Sequence, residues 1–274
     1  MTGRGAVLAG ALAVGGAAAV YRLLTRRVAS ARWERTNHAG ARITLLEGPA
    51  YVAGAAAGAA VGGPAGVVAV LGSGAFGALD DLAGDGGSKG LRGHLGAASR
   101  GEVTTGFVKV VGIGATGLVS AALADLHRSD TGGLDTVIGG AVVASAANMA
   151  NLLDLRPGRA LKVTVVASAV VLAAAGRPGG DRRGTVPAAA ALGAALVLLG
   201  PDLRGEAMLG DTGANAAGAL VGVALVDRCG RIGRLLALGA LTGLTLASEK
   251  VSFTSVIEST PVLRDIDAWG RPPR

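Results

Sequence analysis

The sequence predicts an all-α protein: a polytopic bundle of transmembrane helices with about nine spans, ending in a short helix at the membrane interface. Three observations carry that prediction. Half of the 274 residues are hydrophobic, and the mean hydropathy is +0.51 with only 16% of residues charged. The charges gather into short clusters between apolar runs. The stretches outside those runs are too short to bury a core of their own. A membrane domain over residues 1–248 and a cytoplasmic amphipathic tail over 249–274 follow.

The first apolar run, 5–24, has Arg4 before it and Arg22, Arg26 and Arg27 around its end. Its small residues would suit a cleaved signal peptide. An uncleaved first span with its N-terminus outside is the preferred reading, because the rest of the chain is itself membrane-embedded. The segment TRRVASARWERTNHAGAR is polar and basic and belongs in the cytoplasm. The run 43–78 is too long for one helix, and Gly62, Gly63 and Pro64 divide it into two joined by a tight outer turn. Later spans fall near 103–123, 136–152, 160–175, 186–200, 213–226 and 235–247. Lysines and arginines then outnumber on the cytoplasmic side those outside, although the loops around Arg177–Arg183 and Arg228–Arg234 run against this trend. Localisation is a multi-pass protein of the plasma membrane.

Small residues repeat at intervals of four, at Gly54, Gly58 and Gly62 and at Gly218 and Gly222. Tight packing within the chain is the preferred reading, with a homodimer as the alternative. In the tail, Thr260 is placed to cap a helix that Pro261 begins. Val262, Leu263, Ile266 and Trp269 share one face of it, which suits the cytoplasmic membrane interface.

Composition also limits the chemistry. The single cysteine, Cys229, excludes an internal disulfide and multi-cysteine metal sites, and His38, His94 and His127 are far apart, so any metal is held by oxygen. The net charge of +7 does not indicate nucleic acid, because the arginines flank apolar runs and only 3% of residues are aromatic. Anionic lipid headgroups or phosphate substrates are the expected partners.

Three polar clusters interrupt the apolar runs, and the topology puts all three on the cytoplasmic face. Asp80 and Asp81 close the third helix. Asn148, Asn151 and Asp154 recur at intervals of three in NMANLLDL, so on a helix they form one drifting stripe. Asp211 stands between Gly210 and Gly213 where a later span begins. Free amides there face an anion, while the carboxylate suits the cation accompanying a pyrophosphate. Lys89, Arg92, Arg156, Arg159 and Lys162 are available for phosphate contacts. GDGGSKG resembles a phosphate-binding loop only superficially, since Ser88 replaces the glycine before the lysine and no strand precedes it.

The ordered set DD, KGL, NxxNxxD and GDTG, together with RTNHAGARITLLEGPAYVAG upstream, resembles the polyprenyl-phosphate sugar-1-phosphate transferases. These form glycosyltransferase family 4, which includes the phospho-N-acetylmuramoyl-pentapeptide translocase. The resemblance runs from about residue 35 to 226. It implies transfer of a sugar phosphate from a UDP-sugar to a polyprenyl phosphate, with magnesium, in cell-envelope polymer synthesis. Asp211 matches the family's magnesium-binding aspartate, Asp80 and Asp81 its essential pair, and Asn148, Asn151 and Asp154 the motif lining the nucleotide site. His38 falls in the matching basic loop. The chain departs from the family where DLRPGR puts Pro157 at the position of a second aspartate and Met208 at that of a base-stacking aromatic. It also has no late histidine motif and is about one span shorter than typical members. A relative that binds a lipid phosphate or an envelope-assembly partner without turnover is therefore the alternative. A solute transporter would need charged residues near the midplane, for which Lys109 is the only candidate, and its place toward the cytoplasmic end of its span ranks this reading below both.

Overall fold

The structure, a computed structural model, describes residues 3–28, 31–37, 40–83, 104–126, 128–177 and 180–272. His38, Lys89, Arg92, His94 and His127 lie outside the described residues. Eleven α-helices occupy most of the rest: α1 (Gly3–Arg27), α2 (Glu47–Ala59), α3 (Pro64–Ala83), α4 (Thr105–Asp125), α5 (Gly133–Leu153), α6 (Arg159–Ala175), α7 (Thr185–Leu203), α8 (Gly210–Arg228), α9 (Arg231–Ser248), α10 (Phe253–Ser259) and α11 (Pro261–Ala268). Each apolar run read from the sequence carries a helix. Of these, α1, α3, α4, α5 and α7 are long and apolar enough to cross a membrane. By contrast, α2 and α6 have 13 and 17 residues, and α8 and α9 carry charged residues near their ends.

The break between α2 and α3 falls where glycine and proline place it. A 3-10 turn over Ala60–Gly62 leads to Gly63 at φ +101°, and Pro64 opens α3. The start of α2 differs from the sequence reading. Arg42–Thr44 is not helical but forms strand β2, antiparallel to β1 (Glu34–Thr36), with Arg35 opposite Ile43. Thr44 also exchanges backbone hydrogen bonds with the segment before α8, donating to Glu206 and accepting from Met208. Those partners lie far along the chain, so local apolarity at Ile43 gave no warning of them.

The helices meet through small residues. Along α2, Gly54 and Gly58 sit against Ala13, Ala17 and Ala9 of α1, and along α8, Gly218 and Gly222 sit against Ala146 and Val143 of α5. A methyl group at Gly218 would come 2.1 Å from the Ala146 carbonyl oxygen. The four-residue spacing is thus used for packing within the chain. Helix α8 is the axis of the bundle. It packs against α2, α3, α5, α6 and α7 and buries Ala214, Ala217, Leu220 and Val223 among them.

Each end of the bundle holds a cluster of ionic groups, and α4 connects the two. Lys109 in its first turns and Asp125 in its last are about 24 Å apart along the axis. At the Asp125 end, Arg234 is 1% exposed. Its guanidinium donates to both Asp125 carboxylate oxygens (2.6 and 2.8 Å) and to the carbonyls of Asp135, Val226 and Cys229. Arg231 makes a two-point contact with Asp135, and Arg128 and Arg183 both meet Asp130. The two basic loops that ran against the charge trend contain Arg183, Arg228, Arg231 and Arg234. Three of these pair with carboxylates, and Arg228 donates to the Asp181 carbonyl.

Candidate functional site

The opposite end gathers the aspartates that the sequence singled out. Gly210 adopts φ +60° and turns the chain into α8, leaving the first amides of that helix without intrahelical acceptors. Asp81, at the end of α3, fills that role. Its carboxylate accepts from the amides of Asp211 (3.1 Å) and Thr212 (2.8 Å) and from the Thr212 hydroxyl (2.6 Å). The approach depends on Gly77, one turn earlier, where a Cβ would fall 2.2 Å from the Asp211 carbonyl oxygen. The Arg35 guanidinium donates to the Asp81 carbonyl and ties the β-hairpin to the same corner.

Asp80 sits about 100° further round α3 and makes a different contact. Its carboxylate accepts from the Lys109 ammonium at 2.9 Å, and Lys109 also donates to Asp211. Two carboxylates from α3 and α8 thus share one cation supplied by α4. Asn215 donates to the Asp211 carbonyl at 2.7 Å, one turn further along α8.

Asp154 is buried against the Gly210 amide. It lies just past the end of α5 at Leu153, so it leaves the helical stripe that its spacing suggested. Burial pushes its carboxyl well above the usual carboxylate range, and the neighbouring charge of Asp202 adds to that. Asp202, near the end of α7, accepts from the Gly158 amide at 2.8 Å through one oxygen. Its other oxygen and both carboxylate oxygens of the fully buried Glu47 have no hydrogen-bond partner among the described residues. Sequence reasoning missed Glu47 and Asp202. Their one signal was that each is an acid within or beside an apolar run.

Asn148 faces a different space. Its amide donates to Thr245 of α9 at 3.2 Å. The two residues help to line an open, mainly apolar cleft of about 260 Å³ between α4, α5 and α9. Lys109 and Asn215 stand at its polar part, with Ile113 and Leu246 among the apolar lining. Asn151 is half-buried in the last turn of α5, and its carbonyl accepts from the Asp154 amide.

Of the basic residues considered for phosphate contacts, the described ones, Arg156, Arg159 and Lys162, are engaged elsewhere. Arg159, 4% exposed at the start of α6, makes a two-point contact with Asp267 of the tail (2.8 and 3.0 Å) and donates to Thr254. Arg156 pairs with Glu258 at 3.1 Å, and Lys162 donates to the carbonyls of Ile266 and Asp267.

Among the described residues no three acidic, histidine or cysteine side chains are grouped to hold a metal. Asp80 and Asp211 do converge on one cation, and magnesium is ordinarily held by one or two carboxylates together with substrate phosphates. The pair fits that pattern.

No protein-family model matches the chain, and no curated protein matches it significantly.

Proposed function

We propose that this protein is a membrane glycosyl-1-phosphate transferase of about nine spans, acting at the cytoplasmic face of the plasma membrane on a UDP-sugar and a polyprenyl phosphate. The observation that carries the reading is the convergence of Asp80, Asp81, Asp154 and Asp211 from three separate parts of the chain on the first turn of α8. Carboxylates drawn in among membrane helices are costly unless they are paired or serve a polar site, and here they adjoin a cleft suited to an isoprenoid chain.

In this reading an acceptor phosphate oxygen attacks the phosphorus bearing the sugar. A new P–O bond forms, the bond to the bridging oxygen of the diphosphate breaks, and UMP leaves. Asp80 and Asp211 are the residues that would hold magnesium, which supplies neutralisation of phosphate charge when bound. Lys109 places an ammonium between them at the head of the cleft, where it holds the two carboxylates together and meets an incoming phosphate. Asp81 fixes the first turn of α8, and with it the direction of the Asp211 side chain.

A second reading has its own support. Lys109 already occupies the place between Asp80 and Asp211, Pro157 replaces an expected aspartate, and Arg156 and Arg159 are held by the tail. These favour a relative that binds a lipid phosphate without turnover. Purified protein given undecaprenyl phosphate, magnesium and a panel of UDP-sugars separates the two. Release of UMP with a lipid-linked sugar, lost in Asp211→Asn, is the expected result. Lipid-phosphate binding with no product across the panel establishes the second reading instead.

A further inference from the structure

Arg159 is a buried charge at the first position of a helix, and its side-chain partners are Asp267 and Thr254, both in the C-terminal segment. Beside it, Lys162 donates to two backbone carbonyls of that segment, and Arg156 pairs with Glu258. Arg271 closes the arrangement by donating to the Pro157 carbonyl (2.8 Å) and meeting Asp267 at 3.1 Å. With the segment removed, Arg156, Arg159 and Lys162 would remain together at the N-terminus of α6, where the amide dipoles also favour negative charge. A guanidinium that holds a carboxylate at two points holds a phosphate in the same way.

No other part of the described protein covers the far side of the segment, where Val262, Leu263, Ile266 and Trp269 are exposed, so within the protein it is polar contacts that hold α11 against α6.

We infer that Arg156, Arg159 and Lys162 form a phosphate-oxyanion site that the C-terminal segment masks, with the Asp267 carboxylate standing where a phosphate would sit. The site is vacated when the segment lifts away, so ligand and segment compete for Arg159. This extends the transferase reading to control of access and rests on it only for the identity of the natural ligand, because occupancy is measured without turnover.

Pyrophosphate is the probe, titrated into the full-length protein in phospholipid-free detergent. Binding in Asp267→Asn/Glu258→Gln is expected to be about tenfold tighter or more than in the unaltered protein, because the competing conformation loses its hold. Adding Arg159→Gln to that pair abolishes the gain. Equal affinity in the unaltered and doubly altered proteins overturns the inference, as does a gain that survives Arg159→Gln. The unaltered protein gives an independent reading through reciprocity. Amide hydrogen exchange over 253–268 is expected to rise as the anion that fits the site is added. Nanodiscs with and without phosphatidic acid provide the second arm. Release of the segment by pyrophosphate in detergent identifies a soluble phosphate. Release only in discs with phosphatidic acid identifies a lipid headgroup, and release in neither overturns the inference. Failure of the sugar-transfer assay alongside success here removes the transferase reading and leaves the masked anion site standing.

Discussion

The two ends of the bundle treat buried charge in opposite ways. At the Asp125 end, Arg234 has an acceptor for each of its nitrogens, and the carboxylate it faces is matched at two points. At the Asp211 end, Glu47 is equally buried, yet among the described residues both its oxygens lack partners, and one oxygen of Asp202 does too. A buried group with full hydrogen bonding holds a fold together, whereas one without partners lowers stability and persists only where another requirement keeps it. The first cluster is therefore a structural tie between α4, α5, α8 and α9, and the second lies at the end proposed as the site.

The sharpest test of that contrast is Arg234→Ala. It strands the Asp125 carboxylate and removes the bonds to three carbonyls, with an expected loss of about 3–5 kcal/mol read from denaturation of the detergent-solubilised protein. Asp81→Ala comes next. It leaves two amides of the first α8 turn unpaired, and an expected loss of about 1–3 kcal/mol in the same measurement would class Asp81 as partly structural. Glu47→Gln goes the other way. Replacing an unpartnered buried carboxylate with a neutral group of the same shape is expected to leave stability unchanged or raise it by about 1 kcal/mol. A loss as large as that of Arg234→Ala would erase the distinction between the ends.

The smallest effect concerns the tail. Burial pushes the Asp267 carboxyl up, but hydrogen bonds and charge from Arg159 and Arg271 outweigh it and hold the group below its ordinary range. A carboxylate whose folded value is depressed stabilises the docked state above its unfolded value, near 4 for a free aspartate, and that contribution fades as pH falls through the folded value. Hydrogen exchange in 253–268 is expected to stay slow from neutral pH down to that range and to accelerate below it, once intrinsic exchange is corrected for pH. Uniform protection across the titration would show that Asp267 does not hold the segment.

How far the sequence disclosed this arrangement depends on the range of the interactions. Helix positions were legible because an apolar run with a glycine or proline break carries its own instructions, as at Gly63–Pro64. The close helix contacts were legible at Gly54 and Gly58 because the spacing is itself the contact surface. The hairpin at Ile43 was not, since its pairing partners include residues near Glu206. Asp80, Asp81 and Asp211 were visible as acids bordering apolar runs. Their division of labour was hidden, because which of two adjacent aspartates turns toward α8 and which toward Lys109 depends on helix rotation. Lys109 was conspicuous as a charge within a span but had no assigned partner. Arg156 and Arg159 were recognised as anion ligands, while the anion found there comes from about a hundred residues further along the chain.

Gly77 has no functional group, yet it sets the scale of the whole site. Because α3 passes so close to the Asp211 carbonyl at that point, the spacing between the Asp80–Asp81 pair and Asp211 is fixed by backbone against backbone, with no side chain free to relax. Even one added carbon would act as a wedge between the two halves of the constellation, leaving every aspartate present but out of alignment. Displacements of about 1 Å can reduce a reaction rate a hundredfold. An inventory of acidic residues would score such a variant as intact, so the silence of a position in chemical terms is no guide to its weight in the geometry.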